Sequence, residues 1–453
     1  MSSLSLTIHR GTHQIGGVAA ELCAGQEAAS FPPAAGDERV VIDLGANLPG
    51  TDSPITDEEL IGRVFDGRPC SAVLFTHLHG DHLGLFQKIP SGTRTFIGPT
   101  AKKIKKIIAR YTDRDSLPLI QKMETYRRGH ALSGFRNMRI VPFSVDHSAP
   151  DAYMFYIEAA EKRVLFTGDF RAHGVANERN QLWRVLEKYV PKGIDLLVTE
   201  GTLLSRTEEV RANPVRTEQE LGERAREIFS EHKYNFVLVS STTLDSVMEF
   251  YHAVPQDKLF ICDIYQARIM MAAMKAAWKE YPQYRSGGKI FLPVRQDGDK
   301  KWVEILRKMG KPMDVEFEEL ELNDSAAAER MREQGFVILA RQNRSSNPNV
   351  SEIMMEKFRD KAFITYSMWV GYLRGGKCEE SDILRFIGET PFEVLHTSGH
   401  AFPEDIARLI QAVDPRIIVP MHTESAEDFS SIKLFAPWAD RIHVLQDGEI
   451  LEI

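Results

Sequence analysis

The sequence predicts an α/β protein: a β-rich body bearing a cluster of metal-ligand residues, interrupted by a second domain with a parallel sheet. Three observations carry this. The first is His77-Leu78-His79-Gly80-Asp81-His82, three imidazoles and a carboxylate in six residues, directly after the apolar run Ala72-Val73-Leu74-Phe75. The second is recurrence of the same arrangement, an apolar strand ending in a polar ligand type. Val141 to Val145 leads into Asp146-His147-Ser148, Arg163 to Gly168 into Asp169, and Arg416 to Met421 into His422. The third is a change of texture after Leu196 to Thr202, from short strands to longer amphipathic helices alternating with strands, the pattern of a helix-covered parallel sheet.

Taken along the chain, Thr7-Ile8-His9 and Val18 to Leu22 read as strands flanking a glycine-rich turn. Val40 to Asp43 pairs with the second of them, so that Ala24 to Asp37 becomes a hairpin loop. Gly16 and Gly17 serve a tight turn, and the segment lacks the Gly-Lys-Ser/Thr of a phosphate loop. Lys102 to Arg110 has isoleucines spaced for an amphipathic helix with a basic face, which reads equally as a solvated helix face or as a phosphate-attracting patch. Beyond Thr202, Thr217 to His232 and Gln266 to Lys279 are expected helices; Phe236 to Val239, Lys258 to Cys262, Phe336 to Ala340 and Ala362 to Tyr366 are expected strands. From about residue 385 the chain returns to strand, helix, strand: Phe392 to Leu395, Pro403 to Ala412 and Arg416 to Val419. Arg441 to Leu445 and Glu449 to Ile453 read as a hairpin through Asp447-Gly448.

The chemistry follows from ligand type and spacing. Neutral imidazole and ionised carboxylate suit divalent transition metals, and a two-residue step along extended chain points His77 and His79 the same way. Asp81 and His82 lie past the turn that Gly80 permits, so they can face a second ion. Two ions need more ligands than one loop holds, and the later strand ends supply His147, Asp169 and His422. Taken singly, His147 or His422 is as well explained as a hydrogen-bonded residue at a strand end. Crowding so many ionisable groups without a cation would be costly. Asp43 either organises the metal loop by hydrogen bonds or caps its own strand.

Composition narrows the class. A chain of 453 residues with 43% hydrophobic and 26% charged content is expected to form two or three compact soluble units. The start, Met1 to Leu6, has neither a basic region nor a long apolar run, so no membrane association and a cytoplasmic location are expected. Cys23, Cys70, Cys262 and Cys378 show no paired spacing and suggest neither disulfides nor thiolate metal sites. A net charge of −8 excludes a surface basic throughout, while leaving room for bound cations and local patches that attract phosphate.

Seven segments, in order, resemble the metallo-β-lactamase superfamily and within it the β-CASP branch of ribonuclease J-like nucleases. They are Gly11 to Gly17, Val41-Ile42-Asp43-Leu44-Gly45, Thr76 to Gly84, and His147-Ser148-Ala149-Pro150-Asp151. Phe166-Thr167-Gly168-Asp169-Phe170-Arg171, Ser398-Gly399-His400-Ala401 and Pro420-Met421-His422-Thr423-Glu424 complete the set. The resemblance implies an αββα sandwich formed by residues 1–205 and 385–453, with an inserted α/β β-CASP domain at 206–384. Val18 stands where the family often has asparagine, and the chain stops about thirty residues after His422, short of the family's usual further domain.

The same resemblance implies two divalent ions, Zn2+ before Mn2+, with His77, His79 and His147 on one and Asp81, His82 and His422 on the other. Asp169 would be shared between them, and a bridging hydroxide would attack a phosphodiester. Asp81, His400 and Glu200 are the catalytic candidates, His400 as proton donor to the leaving group and Glu200 as its orienting acid. Ser148, Ser398, Ser240, Ser241 and Arg341 are candidate substrate contacts, although capping and local backbone bonds explain the serines equally well. Trp369 and Tyr372 read as core. The expected partner is single-stranded RNA, with single-stranded DNA and a homodimer also compatible. Two rivals stand beside a 5′ to 3′ exonuclease: a hydrolase of a small phosphodiester, ester or lactone, and a non-catalytic RNA-processing subunit.

Overall fold

The computed structural model describes residues 3–26, 36–176, 181–206, 213, 215–277, 288–341, 348–374 and 379–453. Cys378, Lys279 and most of the expected loop from Ala24 to Asp37 lie outside the described residues. The chain divides into two compact units, residues 1–212 with 399–453, and residues 213–398.

The first unit contains two sheets. One has the order β19-β1-β2-β3-β4-β5-β6, where β1 is Ser3–Arg10, β2 Ala19–Gly25, β3 Glu38–Ile42, β4 Ala72–Leu74, β5 Arg94–Ile97, β6 Glu124–Thr125 and β19 Ile450–Glu452. The other has the order β18-β10-β9-β8-β7, where β7 is Met138–Val145, β8 Ala152–Ala159, β9 Lys162–Phe166, β10 Leu196–Glu200 and β18 Ile417–Met421. Alternation along the strands sorts side chains onto two faces. Ile140, Phe155, Val164, Val198 and Val419 pack against Leu6, Leu22, Val40 and Leu74 in a core between the sheets. Their neighbours Val141, Tyr156, Leu165, Leu197 and Ile418 face outward, onto Leu182, Leu186, Ile406 and Ile410. These last belong to the helices Gln181–Tyr189 and Pro403–Val413. The helix α1, Asp57–Phe65, starts with a Thr56–Glu59 capping box and meets the first sheet, so the expected αββα layering is present.

The topology puts ligand-bearing strand ends at one edge. β9, β10 and β18 are parallel neighbours, and β7 runs with β9 because both are antiparallel to β8. The residues that follow these strands, His147, Asp169, Thr202 and His422, therefore emerge together. The first sheet joins them where Tyr153 N donates to Thr76 O at 2.9 Å, one residue before His77.

The second unit is a parallel sheet of order β14-β13-β12-β15-β11-β16-β17. Its strands are β11 Tyr234–Val239, β12 Leu259–Ile261, β13 Gly288–Val294, β14 Val315–Glu321, β15 Phe336–Ala340, β16 Ala362–Ser367 and β17 Phe392–Val394. Strands buried on both faces need continuous apolar runs, and Phe336-Val337-Ile338-Leu339-Ala340 is buried throughout.

Two expectations need correction. Phe392 to Leu395 does not return to the first body: β17 pairs with β16, and the contact boundary falls at 398/399 where the sequence suggested 384/385. Nor do Arg441–Leu445 and Glu449–Ile453 form a hairpin. Ile442 makes a lone parallel bridge to Ile418, while β19 pairs with β1, so the two segments serve different sheets. Asp447 accepts from the Thr12 amide and hydroxyl, which fixes the turn between them. No helix among the described residues is long and apolar enough to cross a membrane.

Candidate metal centre

The described residues bring together three groups that matter here: His77, His79 and His147; Asp81, His82 and His422; and His77, His82 and Asp169. Within each group the potential ligand atoms lie within 4.8 Å of one another. Asp169 Oδ2 is central, 3.1 Å from His82 Nε2, 3.9 Å from both His77 Nε2 and His422 Nε2, and 4.0 Å from His147 Nε2.

Hydrogen bonds behind the cluster fix which ring nitrogen faces inward. His147 Nδ1 lies 2.5 Å from the Gly399 carbonyl, which can only accept, so this nitrogen carries the proton and Nε2 is bare in the neutral ring. His82 Nδ1 donates to Asp43 Oδ2 at 2.8 Å. The Thr76 hydroxyl donates to that carboxylate at 2.7 Å and so receives His77 Nδ1 at 3.0 Å. His422 Nδ1 is 2.7 Å from Thr202 Oγ1, whose own proton goes to the His422 carbonyl. Four imidazoles thus present Nε2 to one space, each oriented from behind as metal-binding histidines commonly are.

The donor set fits a cation. The buried Nε2 atom of His77 makes no hydrogen bond among the described residues, and that of His82 faces Asp169 Oδ2 at 3.1 Å. His147 Nε2 faces His79 Nδ1 at 3.3 Å, and His422 Nε2 faces Asp81 Oδ2 at 3.4 Å. Two ligands about 2.0–2.1 Å from one tetrahedral zinc stand roughly 3.4 Å apart, so both separations suit a shared ion. Burial, with the neighbouring imidazoles, pushes His77 and His147 well below the usual histidine value and His79 down to about 4. These rings are therefore neutral at pH 7, the state in which a lone pair is available to a metal. Burial alone would raise the Asp169 carboxyl, but the surrounding His422, His82 and His400 hold it well below its ordinary value.

His400 stands at the rim, 20% exposed in its side chain, with Nδ1 3.0 Å from Glu200 Oε2 and 3.7 Å from Asp169 Oδ2. Burial would lower its pKa; Glu200 and Asp169 outweigh that and raise it. The other Glu200 oxygen accepts from Phe170 N at 2.9 Å and Ala401 N at 3.4 Å, so one carboxylate ties the Asp169 loop to the His400 segment. Such an arrangement can hold metal beside an imidazole able to give or take a proton.

The substrate candidates scatter. Ser148 is half-buried beside His147 and so close to Gly399 that a Cβ there would stand 2.5 Å from its hydroxyl. Ser398 closes the second unit, and Ser240, Ser241 and Arg341 belong to it as well. Ser240 Oγ is 3.0 Å from Thr242 Oγ1, a local turn contact before the helix Leu244–Ala253. Arg341 Nε pairs with Asp263 Oδ2 at 2.6 Å, and its guanidinium lies over Tyr265. Trp369 and Tyr372 contact each other edge-on, and Tyr372 packs against the second unit's core.

Sequence reasoning missed three supports. Thr202 and the Gly399 carbonyl orient His422 and His147, and buried Arg171 pairs with Asp146 at 2.8 Å, joining the loops that carry Asp169 and His147. Thr202 follows Glu200 at a strand end, a readable signal; a backbone carbonyl leaves none.

An αββα sandwich with this cluster at its strand ends defines a class, that of the metal-dependent hydrolases of the metallo-β-lactamase superfamily, whose description matches residues 34–196. Residues 392–430 match the Zn-dependent metallo-hydrolase RNA specificity domain. These matches, with the relative that follows, support a ribonuclease J-like chain of the β-CASP kind. It is similar to Ribonuclease J of Sinorhizobium meliloti (strain Sm2011 / Rm2011 / 2011), 22% identical over 441 residues that cover 91% of this chain and 69% of that one. Its fold is similar to a crystal structure of a protein of unknown function from Enterococcus faecalis V583, with TM-score 0.68, 17% identity and 100% of each chain covered.

Proposed function

We propose that the chain hydrolyses phosphodiester bonds of single-stranded RNA in the cytoplasm, working from the 5′ end. The observation that carries this is two ligand groups, His77/His79/His147 and Asp81/His82/His422, with Asp169 grouped with a member of each and the His400–Glu200 pair 3.7 Å from it. His77, His79 and His147 would hold one divalent ion, Asp81, His82 and His422 the other, and Asp169 both. Zinc or manganese so held would lower the pKa of water toward about 7 and neutralise charge on the phosphate. His400 then acts on the leaving group: Glu200 engages Nδ1 and raises the ring's pKa, leaving Nε2 to donate a proton to the departing ribose oxygen. Ser148, which follows His147 in sequence, is the candidate contact to the phosphate, and Ser398, two residues before His400, a further candidate. The RNA-specificity match over residues 392–430 takes in both His400 and His422, which supports RNA over a small ester.

The test incubates metal-loaded protein with end-labelled RNA bearing a 5′-monophosphate or 5′-hydroxyl, beside single-stranded DNA and bis(p-nitrophenyl) phosphate. Mononucleotide release that requires the monophosphate is expected. Turnover of the small diester alone would overturn the RNA reading. His400→Ala should slow RNA cleavage by about 10²–10⁴-fold with metal content unchanged, and full activity in that variant would remove the proton-donor role.

A further inference from the structure

Helix α3, Pro99–Thr112, bears Lys102, Lys103, Lys105, Lys106 and Arg110 and no acid. Its inner side is committed to the fold: Ala101, Ile104 and Ala109 are buried, Lys102 Nζ donates to the carbonyls of Gln121 and Met123, and Lys105 Nζ lies 5.2 Å over the Phe86 ring. Lys103, Lys106 and Arg110, spaced three and four residues apart, share the opposite face. Lys103 and Arg110 are exposed, Lys106 is half-exposed, and none enters an ion pair among the described residues. Arg114, also exposed, follows, with its Nε on the Arg110 carbonyl.

This placement is electrostatically unfavourable for the helix alone. Like charges three and four residues apart repel, and lysines in the first turn oppose the helix dipole. The fold answers only at the helix start, where Asp151 Oδ2 accepts from Thr100 N at 2.6 Å and Ala101 N at 3.2 Å. Carboxylates return past the helix end, at Asp113 and Asp115, where Asp113 already accepts from Gln87. Apart from the pull of Asp151 on Lys103, the outer face has no ion pair among the described residues, in a chain whose net charge is −8.

Its position gives the stripe a purpose. Asp151 lies four residues past His147, and Tyr153 is bonded to Thr76 beside His77, so α3 begins next to the candidate metal centre. Fourteen residues at 1.5 Å each make the helix about 20 Å long. We propose that the outer face of α3 binds the phosphate backbone of the RNA beyond the nucleotides held at the metals, with Lys103, Lys106 and Arg110 each neutralising a phosphate. The proposal rests on the reading of the chain as an RNA hydrolase and adds a sequence-independent contact remote from the chemistry.

The test compares the full-length chain with Lys103→Glu/Lys106→Glu/Arg110→Glu. Binding of a fluorescent 20-nucleotide unstructured RNA is followed by anisotropy between 50 and 200 mM salt, both proteins carrying Asp81→Ala to prevent cleavage. Three lost contacts at roughly 0.7 each should reduce the slope of log affinity against log salt by about 2. Affinity at 50 mM should fall at least tenfold, and Lys103→Gln/Lys106→Gln/Arg110→Gln should lie between. With Asp81 intact, the charge-reversed enzyme should cleave long RNA poorly at low substrate yet turn over bis(p-nitrophenyl) phosphate at the normal rate. RNA cleavage by the unaltered enzyme together with unchanged slope and affinity in the variant would overturn the stripe alone. Absence of RNA cleavage by the unaltered enzyme would overturn the functional reading, and the stripe with it.

Discussion

Asp43 is fully buried, and it receives both the His82 ring and the Thr76 hydroxyl that supports His77. Removing its charge while keeping its shape, as in Asp43→Asn, should weaken metal affinity about 10–100-fold without loss of fold, measured by competition with a chromogenic chelator. Gly45 matters for space. A Cβ there would lie 1.6 Å from the Asp81 carbonyl, which is backbone and cannot rotate away. Gly45→Ala should therefore displace the turn carrying His79 to His82 and lower bound metal below stoichiometry, whereas Gly298→Ala, with nothing near its Cβ, should bind metal normally. The candidate ligands were legible because each is a polar residue closing an apolar strand. Asp43 was legible only as a loop organiser or a strand cap, and its bonds to Thr76 and His82 favour the first. Gly45 was not, since the chain that fills the space beside it comes from 36 residues away, at Asp81.

At the level of elements, the outer face of the first sheet hides an ionic network that alternation in β2 and β3 does not announce. Glu21 accepts from Arg39 at 2.6 and 2.9 Å, from Arg68 at 2.9 Å, and meets His9 at 2.8 Å, all buried beneath α1. A charged residue in a strand reads as solvent-facing; burial here depends on a helix arriving later in sequence. Burial opposes ionisation of Glu21, but Arg39 and His9 overcome it and hold the carboxyl at about 2, below its ordinary 4.5. Its contribution is thus fully present above about pH 4.5 and lost as pH falls toward 2. Glu21→Gln should cost about 3–5 kcal/mol in urea unfolding at pH 7, because two buried guanidinium groups lose their partner, and should flatten the acid limb of stability against pH. Asp151 has the opposite sign. Burial pushes it up to about 6 despite the Ala101 and Thr100 amides, so the folded state retains a proton that the unfolded state has released. Stability is then favoured below about pH 4 and declines through pH 6, and Asp151→Asn should remove that decline. The misplacement of Phe392 to Leu395 belongs at this scale too: a three-residue strand carries no mark of which sheet will take it.

For the whole molecule, the change from short strands to helix–strand alternation after Thr202 was readable, because a parallel sheet demands crossover helices and fully apolar strands. The exact exits were not, since both lie in short connecting segments. Two contact units with all candidate ligands in one of them make a thermal prediction. Metal at 100 times its dissociation constant stabilises by about 2.7 kcal/mol, so chelation should lower one calorimetric transition by roughly 5–10 °C and leave a second unmoved. A single transition that shifts as a whole would show that the units unfold together. The order of the parts along the chain has a consequence during synthesis. His422 meets Thr202 at a sequence separation of 220, and Gly399 meets His147 at one of 252. A nascent polypeptide that has folded its first strands on the ribosome therefore lacks both the last ligand and the carbonyl that sets another. Assembly of the complete ligand set thus has to wait until the segment from Gly399 to His422 has left the ribosome.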